Sequence, residues 1–599
     1  MDLLPKVFRT EGNIAKFDPS KIFESILKET GMSETDAKHI TELVVRRIIS
    51  SGIKFLSGPH IREIVCSILS EQHFENERKL YTRIGMPLMD YEEILEKGPS
   101  NKLNELITPE KIHHWAANQI AEEYAHLRIL DNEESKAHLA GDIHINGLNY
   151  FDLRPYSQIW DPRLILKNGL PPINSSAEFY KEKPAKNLNY ALYHLSKWLG
   201  MIQSEFYGNQ GFNFITTFLA PYLRDMAEED IIQKIKKLIY EINQLSVLIG
   251  REISQISISS SLSIFKAFSE VPAIGPNGKV KDVYENYHEE SMKLFKAFII
   301  AFKGGYDSRP ILSPLHQIIL DNRLVDDIDK IYLKFWEDIE KMNSSYFLNL
   351  CEEKFKEKIL KQESTKNNYS FGTLQNISLN LPRYAYNSQN EDTFLELLNS
   401  KINLCSKILL KKFEIIKKRI NTNHLRFCSS LINGEPLFKL DNQSLSISLV
   451  GLNESIKYLT DFELHEHPEA INLSKKILTE INRLCSELTE NNNIKFILSE
   501  NLSKNAIHRF TKLDLKMFPK DTRLLSNNQS YTNSVHFLDD VKMNILKRIQ
   551  IQGEFHKFIH EGAIEYISLN DIIENNFTIR DFIRIICNES TISCLNLYS

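Results

Sequence analysis

The sequence predicts an α/β protein, in which a large α/β domain follows a small and mostly helical unit. Three observations carry this. The chain has 599 residues, too many for one small core. Its composition, 42% apolar, 25% charged and 10% aromatic, is that of an ordinary globular protein. Beyond about residue 100, helical periodicity alternates with short β-like runs such as 371–381, 446–451 and 563–569, with no internal repeat, which is the pattern of a large α/β domain.

The front elements read in order. Val7, Phe8 and Arg9 face Ile14–Phe17 across a turn in which Gly12 supplies the permissive backbone of a hairpin. Asp18 is placed to cap a helix with Pro19 at its first position, and Ile22, Phe23, Ile26 and Leu27 follow at helical spacing. Amphipathic helices are predicted at about 33–51 and 58–71. The segment 95–102, with Gly98, Pro99 and Ser100, has linker composition, so domains are expected at 1–95 and 96–599.

Charge and cysteine usage exclude several classes. A net charge of −5, with lysine runs such as 354–361 interleaved with glutamate, gives no sign of a nucleic-acid partner. Apolar stretches such as Leu294–Phe302, broken by Lys296, fall short of the roughly 20 residues needed to cross a bilayer. The first residues carry no signal-peptide pattern, so a cytoplasmic chain without a membrane partner is expected. The seven cysteines (66, 351, 405, 428, 485, 587 and 594) never occur as C-x-x-C, so neither a disulfide framework nor a zinc site is expected.

The run Val7–Ile22, with Arg9, Gly12, Phe17, Asp18 and Lys21 in order, resembles the opening of the ATP-cone, a regulatory nucleotide-binding module. In such a module a hairpin with basic residues closes over a helix N-terminus, where unpaired N–H groups favour a phosphate chain. The resemblance implies ATP or dATP as allosteric ligand near Val7, with Arg9 and Lys21 as phosphate contacts and Ser57 as a hydroxyl contact. Thr10 stands where the family usually has a second basic residue.

A longer ordered series covers most of the rest: His138–Asn146, Leu148–Phe151, Arg154–Asp161, Glu205–Asn213, Thr217–Tyr222, Gly372–Gln375, Asn380–Tyr386, Val450–Glu454, His508–Phe510, Tyr531–Ser534, Gly553–His556 and Gly562–Ala563. Together these stretches resemble the catalytic subunit of anaerobic, class III, glycyl-radical ribonucleoside-triphosphate reductases. The resemblance implies a ten-stranded α/β barrel of glycyl-radical-enzyme type that binds ribonucleoside triphosphates, usually as a homodimer.

Read from the residues, glycines 208 and 211 permit close backbone approach, and Pro382 ends an apolar run so that Arg383 falls at a strand end. Asn380 and Arg383 are the expected substrate contacts, with a structural ion pair an equal reading of Arg383.

The family's reaction requires thiols, because an S–H hydrogen exchanges with both a glycine Cα and a ribose carbon. Ser157 occupies the position of the reducing cysteine. The loop cysteine is expected between a helix ending near Tyr346–Leu350 and the strand at Gly372–Gln375, where the sequence reads Glu363–Tyr369 without sulfur. Cys351 is the nearby thiol, and reads more simply as a buried helix cysteine. No glycyl-radical or zinc segment is found. Three functional readings follow: a homologue that binds nucleotides but is impaired or inactive alone, acting as a sensor or as heteromeric partner of an intact reductase; a component completed in trans by a separate glycyl-radical polypeptide; or a true reductase whose thiols stand at other positions than the motifs indicate.

Overall fold

A computed structural model describes residues 6–8, 14–53, 55–85, 88–97, 108–171, 182–245, 254–304, 311, 313–342, 344–360, 370–432, 434–526, 530–539 and 541–598. The chain forms two compact units, 1–133 and 134–599.

In the front unit, β1 (Lys6–Phe8) pairs antiparallel with β2 (Ile14–Lys16) and parallel with β3 (Phe55–Ser57). The hairpin strands are thus as predicted, while Arg9, Thr10 and the turn lie outside the described residues. Asp18 caps the helix Pro19–Thr30 through the Ser20 amide, and Gly31 closes it at φ 67°. The helices Glu34–Ser50 and Gly58–Glu71 bury Ile40, Val44, Ile48, Val65 and Ile68 against Ile22 and Ile26.

The expected boundary near 95 is displaced to 133. The helix Pro109–Tyr124 and the π turn Ala125–Ile129 are tied to what precedes them, because Glu123 Oε2 accepts from the Gly85 amide (3.0 Å) and Arg128 Nη2 donates to the Leu80 carbonyl (2.9 Å). Linker composition marked a break in periodicity, and tertiary hydrogen bonds decided which side the next helix joined.

The large unit carries β4 (Ile143–Ile145), β5 (Ser157–Trp160), β6 (Gln210–Phe212), β7 (Ile256–Ser261) and a hairpin of β8 (Pro272–Ile274) and β9 (Val280–Val283). It continues with β10 (Leu315–Leu320), β11 (Ser344–Asn349), β12 (Phe371–Asn380) and a hairpin of β13 (Leu431–Ile432) and β14 (Glu435–Pro436). The last strands are β15 (Gln443–Val450), β16 (Lys495–Leu498), β17 (Ile564–Ser568) and β18 (Cys594–Tyr598).

Ten of these run side by side in the order β16-β15-β12-β5-β6-β7-β10-β11-β18-β17, with β4 paired antiparallel to β12. Neighbours β5, β6, β7, β10 and β11 are parallel to one another. The other five strands run the opposite way, meeting the first set at the antiparallel seams β5/β12 and β11/β18. The two ends of the path approach each other without a ladder: the His560 amide donates to the Leu498 carbonyl (2.8 Å) and the Ile564 amide to Glu500 Oε1 (3.3 Å). The sheet is thereby curled into the ten-stranded barrel that the resemblance implied.

Alternation along the strands sorts the two faces. On β15, Ser444, Ser446 and Ser448 alternate with Leu445, Ile447 and Leu449, and the hydroxyls meet Thr373, Asn376 and Ser378 of β12 in register. On the outside, Ile318, Leu320, Phe347, Leu595 and Leu597 pack under the helices His288–Lys303, Asn322–Ile331 and Ile579–Glu589. The barrel interior is polar and its shell apolar.

The segment Tyr346–Leu350, expected to end a helix, is instead the end of β11, held between β10 and β18. Its short apolar run has no helical stripe of its own, and ladder partners decide it. Cys351 accordingly sits in the turn after a strand, not in a helix.

The expected close approaches occur at Gly208, where an added Cβ would stand 2.8 Å from the Tyr156 carbonyl oxygen, and at Gly211, where it would collide with the Ser257 carbonyl oxygen; a third, not expected from the sequence, occurs at Gly372 against the Ser157 carbonyl oxygen. Gly372 lies on the β5/β12 seam. Gly372→Ala is expected to destabilise the large unit by about 1–3 kcal/mol by forcing that seam apart. Urea unfolding with no loss relative to wild type would show that the seam can open freely.

Candidate functional site

The barrel encloses a cavity of about 410 Å³. Ser157 at the start of β5, Gln317 of β10, Thr373 and Asn376 of β12, Ser446 of β15 and Cys594 of β18 all contribute to its wall. His144, Tyr156, Tyr207, Asn209 and the segment 499–503 complete it, together with Glu561, Gly562 and Ile564 at the start of β17.

Asn376 organises this interior. Its Oδ1 accepts from Asn146 Nδ2 (2.7 Å), Asn501 Nδ2 (2.8 Å) and Ser448 Oγ (2.9 Å), and its Nδ2 donates to Ser446 Oγ (2.5 Å). The Tyr156 hydroxyl donates to Asn501 Oδ1 (3.3 Å). Such a wall offers neutral donors and acceptors in a fixed array, suited to hydroxyl-rich and amide-bearing ligands.

The titratable groups are shifted by their surroundings. Burial holds His144 neutral, its pKa lowered to about 3, with the nearby Arg509 charge acting the same way. Burial, with the Glu500 carboxylate nearby, pushes the Cys594 thiol up to about 12, so it remains S–H at neutral pH. Glu561 is raised by burial, against the pull of Lys495 and Lys358. Glu500 accepts from His536 Nε2 (3.0 Å) while also receiving the Ile564 amide. One carboxylate thus lines the cavity and bridges the gap between β16 and β17.

Asn380 and Arg383, read as substrate contacts, are not part of the cavity wall. Arg383 Nε donates to Asp514 Oδ1 (2.7 Å), Nη2 bonds the same carboxylate, and Nη1 bonds the Ala140 carbonyl. Asn380 Nδ2 donates to Asp514 Oδ2 (2.9 Å) and to the Gly141 carbonyl (2.9 Å). Of the two equal readings of Arg383, the structure displays the ion pair; the residue lies not at a strand end but in the short helix Leu381–Tyr386 that follows β12, which brings it against Asp514 of the helix Lys504–Met517. Cys351 is likewise away from the cavity, packed against the apolar shell. The segment 363–369 lies outside the described residues.

The front unit has its own cavity of about 230 Å³, where Val7 and Lys21 meet Asp18, Ile22, Ser25, Gly58, Ile61, Arg62 and Tyr81. Arg62 pairs with Glu29 (2.7 Å) and its guanidinium lies over the Tyr81 ring. Ser57 is adjacent, with its hydroxyl capping the helix Gly58–Glu71 through the His60 amide (3.4 Å).

Residues 101–597 match the family model described as anaerobic ribonucleoside-triphosphate reductase. The chain belongs to this family. The reductase of Escherichia coli (strain K12) is 22% identical to it over 97% of this chain and 88% of its own length. That of Salmonella typhimurium (strain LT2) is 21% identical with the same coverage, and that of Enterobacteria phage T4 is 22% identical over 74% of this chain and 76% of its own length. The anaerobic ribonucleotide reductase of Thermotoga maritima with glycerol in the active site superposes with a TM-score of 0.71 at 18% identity, covering 85% of each chain. The Thermotoga maritima enzyme in complex with dATP and CTP gives 0.66, over 85% of this chain and 88% of that one. These structures share the reductase barrel fold.

Within this reductase barrel, sequence reading found Ser157 and missed Cys594, Glu500 and Asn376. A signal for Cys594 existed in the alternation of Cys594 and Asn596 with Leu595 and Leu597. Nothing local marked Glu500, whose partners come from residues 36 and 64 positions further along the chain. Among the described residues no helix is long and apolar enough to cross a membrane, and no cluster of three His, Cys, Asp or Glu side chains is arranged to hold a metal ion.

Proposed function

We propose that this member of the anaerobic ribonucleoside-triphosphate reductase family binds nucleotides without reducing them on its own. In this reading the front unit is an ATP-cone that takes ATP or dATP as an allosteric ligand, and the barrel takes a ribonucleoside triphosphate. The protein then acts as a nucleotide sensor, or as partner to an intact reductase, in a homodimer or heteromer. The observation that carries the reading is Ser157 in the wall of the barrel cavity, at the position where the family resemblance calls for the reducing thiol. A serine O–H bond is too strong to exchange its hydrogen with a ribose carbon. The sequence between Cys351 and Cys405 adds no other cysteine.

The front cavity supports adenine-nucleotide binding by its chemistry: Val7, Ile22 and Ile61 give an apolar slot beside the Tyr81 ring, and Lys21 supplies a cation in the first helical turn. A ligand present at about 100 times its dissociation constant stabilises its host by about 2.7 kcal/mol. For a unit of this size the front transition is expected to rise by roughly 5–10 °C in saturating ATP or dATP. Lys21→Ala should remove most of that rise, and no shift with any adenine nucleotide would overturn the cone reading.

One observation favours a second reading, in which a separate glycyl-radical polypeptide completes the enzyme. Cys594, half-buried, faces the cavity, and a thiol that stays protonated is the form from which a hydrogen atom can be taken. Anaerobic turnover assays separate the two. The protein with activase, S-adenosylmethionine and reductant is expected to give background deoxyribonucleotide. Turnover that appears only with an added glycyl-bearing polypeptide, and is abolished by Cys594→Ser, would establish the second reading.

A further inference from the structure

Cys351 and Cys587 lie 236 positions apart in sequence and meet beside the end of β11. Both converge on one side chain. Asn349 Oδ1 accepts from the Cys351 amide (3.0 Å) and from Cys587 Sγ (3.9 Å). Asn349 Nδ2 in turn holds the segment that leads into β18, donating to the Ile592 carbonyl (2.9 Å) and the Ile586 carbonyl (3.4 Å). The Cys587 thiol faces that of Cys351, and the hydrogen bond between them, followed by burial, holds its pKa well above the ordinary value. Both are free thiols; Cys351 is partly exposed and Cys587 is 8% exposed.

We propose that Cys351 and Cys587 form a reversible redox pair that closes to an intrachain disulfide when it meets a small disulfide oxidant. The order of events follows from exposure. Cys351, the accessible member, loses its proton and attacks one sulfur of the oxidant R–S–S–R, giving a mixed disulfide and releasing one thiolate. Cys587 then loses its proton and attacks the Cys351 sulfur, which releases the second thiolate. Two electrons pass from the pair to the oxidant, and the two thiol protons end on two molecules of R–SH. The raised pKa of Cys587 slows the second step, because the attacking thiolate is scarce.

Closure has a structural consequence. It ties the helix Ile579–Glu589 to the turn after β11 and draws the Cys587 sulfur away from Asn349, at the point where the Asn349 amide also holds the Ser593 carbonyl (2.8 Å). Cys594, on the next residue, faces the barrel cavity. Oxidation of the pair therefore stiffens the strand that carries the cavity thiol. The inference stands independently of whether the barrel catalyses reduction, since it needs only the two thiols and an oxidant.

The full-length protein, purified reduced, is treated without denaturant with excess oxidised glutathione, alkylated, digested and mapped by mass spectrometry. The expected product in the majority of chains is a cross-link between the peptides of Cys351 and Cys587, two hydrogen atoms lighter than the separate peptides and reversed by a thiol reductant. Cys587→Ser should instead accumulate the glutathione adduct on Cys351. Three outcomes would overturn the proposal: equal alkylation of all seven cysteines after oxidation, a glutathione adduct on wild-type Cys351 that never resolves, or a cross-link that forms only in denaturant. The mapping on wild-type protein is unaffected by whether a variant folds.

Discussion

Arg383→Ala is expected to cost the large unit about 3–5 kcal/mol, the penalty for leaving one member of a buried ion pair without its partner. Arg383 is 2% exposed and Asp514 0%. The arginine gives its Nε and Nη2 to Asp514, while Asn380 Nδ2 (2.9 Å) and the Tyr531 hydroxyl (3.0 Å) fill the other carboxylate oxygen. Removing the guanidinium strands a carboxylate that water cannot reach. With a melting entropy of about 2.1 cal/mol/K per residue, a unit of this length has about 1 kcal/mol/K in total, so the transition is expected to fall by about 3–5 °C. The double variant Arg383→Met with Asp514→Leu should recover much of the loss, because it removes both charges and keeps apolar volume. If Arg383→Ala left the transition unmoved and weakened ribonucleotide binding, the residue would be a ligand contact after all.

The second large effect concerns pH and the gap between the barrel's terminal strands. Burial opposes the charged form of His536, but attraction and hydrogen bonding to Glu500, helped by Glu565 and opposed by Arg548, leave its pKa above the ordinary value. His556 and Tyr566 are the other titratable neighbours of this ring. The folded protein therefore holds this proton more tightly than the unfolded chain does. The stabilisation is fully present below the ordinary histidine value of about 6.5 and is lost as pH rises through the raised folded value. His536→Gln is expected to cost about 1.5–3 kcal/mol at pH 6, the worth of a hydrogen bond to a charged group, and much less at pH 9. Urea midpoints for wild type and variant, measured side by side across that range, should converge as pH rises. A difference that stays constant with pH would mean that His536 serves Glu500 as a neutral donor.

Much of the fold was legible because local chemistry and tertiary context agreed. Asp18, Pro19 and Gly31 bound a helix by satisfying or sparing its end groups, and the alternation Ser444–Leu449 announces a strand with one polar face. The segment 346–350 was misread because five residues of mixed apolar character carry no period that separates helix from strand. The site was less legible. Ser157 could be placed from its motif, whereas Asn376, Glu500 and Cys594 acquire their meaning from partners far along the chain.

The sequence by itself determined the two-part organisation, the α/β class, the family, and the identity of the atom at position 157, since an oxygen cannot be made into a sulfur by any fold. Only the tertiary structure decided where the front unit ends, that Arg383 is spent on Asp514, and which cysteine faces the cavity. Those outcomes depend on which distant groups are brought within hydrogen-bonding distance when the sheet curls into a barrel. Pairing across that distance is settled by burial, because a buried polar group takes whatever partner the closed barrel presents and leaves no local mark in the sequence.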